Sequence, residues 1–276
     1  MGQNREMIRA ACVQWDVQFA DPETNSRRAV NFLHSANGSL DFAIFPEAFL
    51  TGYCVSSPNE AKQIAIPTCH PSLIQLEQAA LETNIVTIVG FAELSGESLY
   101  NSVALFEAGQ PARYYRKAHL PYLGYDRFAT PGDQLQIFDT KIGKLGILIC
   151  FDFRFPEACR TLALQGCDIL CIPTNWPVGA EVTAEHISRA RAAENSVFVM
   201  TCNRVGTENG ITFIGNSKIL GIRGEVLAES GNDEAIPTAE FDPHLARDKR
   251  RVVIPGIYET DNFATRQPHL YSEISR

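Results

Sequence analysis

Ten short runs rich in apolar residues punctuate the chain: 9–15, 41–45, 85–91, 102–106, 113–117, 145–151, 168–173, 197–203, 217–221 and 235–241. Each has strand length and is bounded by turn-forming or polar residues. Helical spacing falls between several of them, at 29–33, 73–83, 157–165 and 182–195, with Pro156 placed at a first helical position. Strands alternating with helices predict an α/β fold. The turn signals ELSGES and EAGQPA predict hairpins, so the sheet is mixed rather than purely parallel. No linker-like shift in composition, low-complexity tract or internal repeat interrupts the pattern, which predicts one domain over residues 1–276.

Composition adds little to this picture except exclusions. Hydrophobic residues make up 45% and charged residues 20%, as in ordinary soluble proteins. The formal net charge of −8 disfavours nucleic acid and anionic membranes as main partners. The opening stretch MGQNREMIRAACVQW contains no apolar run long enough for a signal peptide or a span. Glu6 occupies the position at which N-myristoylation of Gly2 would want Ser or Thr. A cytoplasmic location is expected. In such a location the even count of eight cysteines does not by itself imply disulfides, and without a C-x-x-C or paired Cys/His spacing neither a metal site nor a cofactor is expected.

Polar chemistry gathers where apolar runs stop. FAIFPE ends at Glu47, ARYYRK at Lys117, GILIC at Cys150 and DILCIPTN at Asn175. Ligands of open α/β sheets bind at the carboxyl ends of strands, and two hairpin reversals between 85–91 and 113–117 point those two strands the same way. The four ends can therefore share one edge. A thiol needs a base or a neighbouring cation to act as a nucleophile. Glu47 suits the base, and Lys117 with the backbone N–H of Phe151 suits the oxyanion formed on a carbonyl. Each residue alone also fits a bland reading: a core cysteine, a loop glutamate, a surface lysine.

The blocks FPEAFLTGY (45–53), YRKAHLP (115–121), GILICFDFRFPEACRTLALQGCDILCIPTNWP (146–177), ARAAENSVFVMTCNRVG (190–206) and RQPHLY (266–271) together resemble the nitrilase superfamily of carbon–nitrogen hydrolases. The resemblance implies an αββα sandwich, pairing into a homodimer or larger assembly, and a catalytic glutamate, lysine and cysteine at Glu47, Lys117 and Cys150. It implies that Arg154 and Glu157 hold the nucleophile's turn and that Asn175, Trp176 and Tyr53 reach the substrate, although Trp176 equally fits core packing. Arg191 and Glu194, three positions apart on a helix, can pair. Many members carry a second glutamate before a Pro-Gly-Asp. Here LPYLGYDRFATPGD has none, and Asp126, about one position off gapless counting, is the nearest carboxylate. It either takes that role or serves as a turn residue paired with Arg127 or solvent. The segment from about Ile254, with apolar residues on an irregular tail, is expected to pack on a partner subunit.

The implied activity is hydrolysis of a small non-peptide amide through a thioester. N-carbamoyl amines and nitriles are alternative small-molecule substrates. A Cys–His hydrolase using His119 or His186, and an inactive interaction subunit that keeps the fold, are the competing readings.

Overall fold

The computed structural model describes residues 7–275. The chain runs β1 (Ile8–Cys12), α1 (Pro22–Ser35), β2 (Phe42–Ile44), α2 (Pro58–Ile64), α3 (Pro71–Thr83), β3 (Val86–Ser95), β4 (Ser98–Phe106), β5 (Arg113–Arg116), β6 (Ile137–Thr140) and β7 (Gly143–Ile147). It continues through α4 (Pro156–Leu164), β8 (Ile169–Pro173), α5 (Ser188–Asn195), β9 (Phe198–Cys202), β10 (Thr207–Glu208), β11 (Ile211–Thr212), β12 (Lys218–Leu220), β13 (Val226–Glu229) and β14 (Thr238–Phe241). A last hairpin pairs β15 (Arg250–Ile254) with β16 (Tyr258–Asp261).

Two six-stranded mixed sheets form the centre. Their strand orders are β14-β1-β2-β3-β4-β5 and β13-β12-β9-β8-β7-β6. In each the central strands are parallel and the flanking strands antiparallel. The sheets face one another: Ala10, Cys12, Ile44 and Ile88 of the first share a core with Ile147, Cys171, Met200 and Ile219 of the second. The Cys202 thiol lies 3.1 Å from the Ile44 carbonyl oxygen of the opposite sheet. The alternate residues Ala43, Val89 and Ala104 turn outward onto Leu33 of α1 and Leu73, Leu76 and Ala80 of α3. Ala158 and Leu162 of α4 and Ala192 of α5 pack on the second sheet. The result is an αββα sandwich. Its inner strands are covered on both faces, which is why they read as continuous apolar runs.

Local sequence explains the helix starts. Asp21 and Ser57 accept backbone hydrogen bonds at the first turns of α1 and α2, each followed by proline, and α3 likewise begins on Pro71. Asn84 closes α3 in the left-handed conformation, with φ of 57°. Among the described residues no helix is long and apolar enough to cross a membrane.

Several expectations need correction. The run at 145–151 leaves the ladder at Ile147, and Cys150–Arg154 forms a 3₁₀ turn. The helix expected from 182 opens with a π-helical turn, Thr183–Ile187. Helix α2 and the strands β6 and β13 were not signalled; β6 and β13 are four-residue edge strands in which only Phe138 is buried. The tail contains the β15–β16 hairpin where irregular chain was expected. Finally, the four polar strand ends do not share one sheet edge: β2 and β5 belong to the first sheet, β7 and β8 to the second.

Candidate active site

Each sheet delivers polar groups to a common rim. Glu47 follows β2 in a turn that presses onto β3 at Gly90, where an added Cβ would lie 2.5 Å from the Pro46 carbonyl oxygen. Only glycine permits that approach. Lys117 follows β5; its N–H donates to the Asn101 carbonyl at 2.8 Å, and its carbonyl accepts from Gly132 at 2.8 Å. Cys150 follows β7 with φ of 47°, a left-handed conformation uncommon outside glycine. Such strain persists only where surrounding contacts impose it.

Asp152 supplies those contacts. Its buried carboxylate accepts from Ile149 N at 3.0 Å and Tyr115 Oη at 2.8 Å through Oδ2, and from His119 N at 2.8 Å through Oδ1. His119 Nδ1 sits 2.7 Å from the same Oδ1, and the imidazole stacks on Phe155 at 3.9 Å. One carboxylate thereby joins the residue before Cys150 to the residues flanking Lys117. His119 is engaged in this clamp, and His186 lies in the π-helical turn.

At the rim's floor, Lys117 Nζ contacts Glu47 Oε1 at 2.7 Å and Asp126 Oδ2 at 2.6 Å, with all three side chains buried. Asn101 Nδ2 donates to both carboxylates, to Glu47 Oε1 at 2.7 Å and Asp126 Oδ1 at 2.8 Å. Tyr53 Oη donates to Asp126 Oδ2 at 2.8 Å. Arg127 does not pair with Asp126; it donates to the carbonyls of Gly124 and Val55. Unpaired ions in such a place would cost several kcal/mol each, so the mutual pairing is what makes the cluster tolerable.

Protonation follows from this geometry. Burial works against the Lys117 ammonium, but Asp126 and Glu47 outweigh it and hold the amine charged well above its usual range. Burial raises the Glu47 carboxyl; Lys117 opposes the rise and Asp126 adds to it. The Cys150 thiol is pushed up to about 12, first by burial and then by Glu47, with Lys117 pulling the other way. This environment favours the neutral thiol over the thiolate. Glu47 Oε2 is buried with no hydrogen-bond partner among the described residues, so the carboxylate keeps one free acceptor.

A cavity of about 310 Å³ opens onto Cys150. That lies at the small end of ligand pockets and suits a small molecule. Tyr53, Leu123, Phe151, Asn175, Trp176 and Arg154 are among its walls. Asn175 is fully buried, and among the described residues neither its Nδ2 nor its Oδ1 has a partner. Trp176 is 3% exposed; it packs on Phe153 and also faces the cavity.

The carbon–nitrogen hydrolase model matches residues 9–251. The chain belongs to the carbon–nitrogen hydrolase family. It is similar to a Pyrococcus abyssi nitrilase, 36% identical over 249 residues covering 88% of this chain and 93% of the relative. It is similar to an Arabidopsis thaliana N-carbamoylputrescine amidase at 32% identity, covering 98% and 95%. It is similar to a Bacillus subtilis 2-oxoglutaramate amidase at 31%, covering 84% and 90%. A carbon–nitrogen hydrolase structure from Helicobacter pylori G27 superposes with a TM-score of 0.80 at 28% identity, covering 88% of this chain and 92% of that one. A Saccharomyces cerevisiae member of branch 10 of the nitrilase superfamily gives a TM-score of 0.77 at 27% identity, covering 87% and 92%.

Of the residues singled out in this carbon–nitrogen hydrolase, Glu47, Lys117 and Asp126 meet directly, Tyr53 joins them through Asp126, and Cys150, Phe151, Asn175 and Trp176 line the cavity above. Arg191 and Glu194 pair at 3.0 Å. Asn101, Asp152 and Arg154 as a cavity wall had no comparable signal. Asn101 lies 54 positions from Glu47, in β4 one residue before its apolar run, and nothing in its neighbourhood marks it as a partner.

Proposed function

We propose that this carbon–nitrogen hydrolase cleaves a small non-peptide amide with Cys150 as nucleophile, Glu47 as base and Lys117 as oxyanion donor. The observation that supports it best is geometric: buried Lys117 touches both Glu47 and Asp126, Glu47 keeps one unpartnered oxygen among the described residues, and the cavity opens on Cys150. In this reading the thiol proton passes to Glu47 as sulfur bonds to the carbonyl carbon. Lys117 spends two N–H groups on Glu47 and Asp126 and has a third for the oxyanion, beside the Phe151 N–H. Collapse breaks the C–N bond, and Glu47 returns the proton to the leaving nitrogen as ammonia or an amine. Water, giving its proton to Glu47, then attacks the thioester; the acid departs and the thiol is restored. Asp126 stands in for the second glutamate, holding Lys117 charged.

The cavity also bears on substrate. Arg154 is the one formally charged residue among those lining it, and it forms no ion pair among the described residues, donating only to Thr183 Oγ1 at 3.2 Å. N-carbamoylputrescine ends in an ammonium and 2-oxoglutaramate in a carboxylate, so the wall favours the second kind. Ammonia release from a panel of acidic, neutral and amino-bearing amides, carbamoyl amines and nitriles is the test. Acidic and neutral amides are expected to turn over, with Cys150→Ala inactive and a covalent adduct on Cys150 by mass spectrometry. Turnover by Cys150→Ala, or no turnover of any amide, overturns the reading. The working unit is a homodimer or larger homo-oligomer, with the tail from about Ile254 on the partner.

A further inference from the structure

Glu208 lies in β10, 155 residues along the chain from Tyr53, yet its buried carboxylate holds the backbone beneath it. Oε1 accepts from the N–H groups of Tyr53 at 2.7 Å and Cys54 at 2.6 Å. Oε2 accepts from Arg204 Nη1 at 2.6 Å. Arg204 is itself 1% exposed, reaches Asp16 Oδ1 at 2.8 Å and lies 4.5 Å over the Phe213 ring. The anchor is thus fixed from behind.

The segment it grips is wound tightly. After Glu47 the backbone passes through two left-handed residues, Ala48 with φ of 52° and Gly52 with φ of 79°. A Cβ on Gly52 would meet Phe19 at 2.6 Å and Glu208 Oε2 at 3.0 Å. The chain then presents Tyr53, whose Oη donates to Asp126 and whose ring stands 5.8 Å from Lys117 Nζ. Tyr53 O accepts from Tyr125 N at 3.0 Å, so the same residue also seats the Asp126 turn.

We infer that Glu208 is a positioning residue for amide hydrolysis: by holding the Tyr53 and Cys54 N–H groups it sets Tyr53, and through Tyr53 the carboxylate that orients Lys117. The inference rests on the catalytic reading above. What matters in it is where the Glu208 oxygen sits rather than the charge it carries, and that distinguishes positioning from a plain stabilising ion pair. Glu208→Gln keeps an oxygen within reach of both N–H groups and loses the ion pair. Glu208→Asp keeps the charge and withdraws the oxygen by one methylene.

The experiment measures kcat, KM and Tm for both variants, alone and combined with Tyr53→Phe. Glu208→Gln is expected to lower Tm yet keep kcat within about threefold of wild type, whereas Glu208→Asp lowers kcat on the order of tenfold, about the worth of one hydrogen bond to a charged group. In the Tyr53→Phe background the Glu208→Asp effect on kcat should largely vanish, because coupled residues are non-additive. A crystal structure of Glu208→Asp should show Tyr53 Oη more than about 3.5 Å from Asp126, outside hydrogen-bond range. The inference is overturned if kcat follows Tm across the set, if the two substitutions multiply independently, or if Tyr53 keeps its place in Glu208→Asp. Loss of wild-type amide turnover would instead defeat the catalytic reading, and the crystallographic arm would still judge Glu208.

Discussion

Asp126 Oδ2 lies 2.6 Å from Lys117 Nζ, and both side chains are fully enclosed. The aspartate reaches the lysine because the Gly124–Phe128 turn folds against Tyr53, with Gly124 at φ of 51° and no room there for a Cβ. Removing this charge while keeping its shape tests what it does. Asp126→Asn should reduce kcat roughly tenfold to a hundredfold, the range set by a hydrogen bond to a charged group. Circular dichroism should show the fold retained. Full activity in Asp126→Asn would leave Glu47 as the only carboxylate in the chemistry.

The proposed base, Glu47, is separable from the neighbouring histidine. Glu47→Gln keeps the hydrogen bond to Lys117 in shape and removes the proton acceptor, so the rate should fall on the order of 10²–10⁴. His119→Ala takes one contact from the Asp152 clamp and should cost far less. Steady-state rates at one pH rank the two, and the reverse order would favour a Cys–His mechanism.

The pH profile carries a sign. In the proposed mechanism Glu47 has to be ionised to accept the thiol proton, and burial raises its pKa above the usual carboxylate value of 4.5. The acid limb of kcat/KM should therefore lie above pH 4.5, with activity lost as pH falls through it. With the thiol pushed up to about 12, iodoacetamide should alkylate Cys150 without the inflection near pH 8.5 of a free cysteine. Mass-resolved alkylation rates between pH 6 and 10 check this, and an inflection near 8.5 would show an ordinary thiol.

Assembly is open to a direct measurement. The tail beyond the matched region exposes Ile257 at 82%, Leu270 at 67% and Ile274 at 64%, more apolar surface than an isolated hairpin needs. Light scattering at micromolar concentration should give at least twice the 30.5 kDa chain mass. Ile257→Asp with Leu270→Asp should shift the population toward monomer. A monomeric wild-type mass would refute pairing.

Core cysteines provide a contrast to Cys150. Cys12→Ala and Cys202→Ala empty a little space between the sheets and should cost roughly 1 kcal/mol each by thermal melting, with turnover retained.

How much of this was readable in advance divides along a physical line. Hydrophobic periodicity is a local signal, so the buried strands β1, β2, β3, β8 and β9 and the helices α3 and α4 were legible, while the edge strands β6 and β13, which bury little, were not. The α/β class, the polar strand ends at Glu47, Lys117 and Cys150, and the family blocks around them are properties of short stretches and stood in the sequence by themselves. Closure is not local. The two sheets, rather than one, arise because each buries its second face on the other, and no single strand records which sheet it joins. Asn101 bridging Glu47 and Asp126, Asp152 joining the Cys150 turn to the Lys117 strand, and Glu208 beneath Tyr53 are contacts across 25 to 155 positions. Only the packed sandwich decides them, because the drive to pair a buried polar group exists only once folding has removed its water.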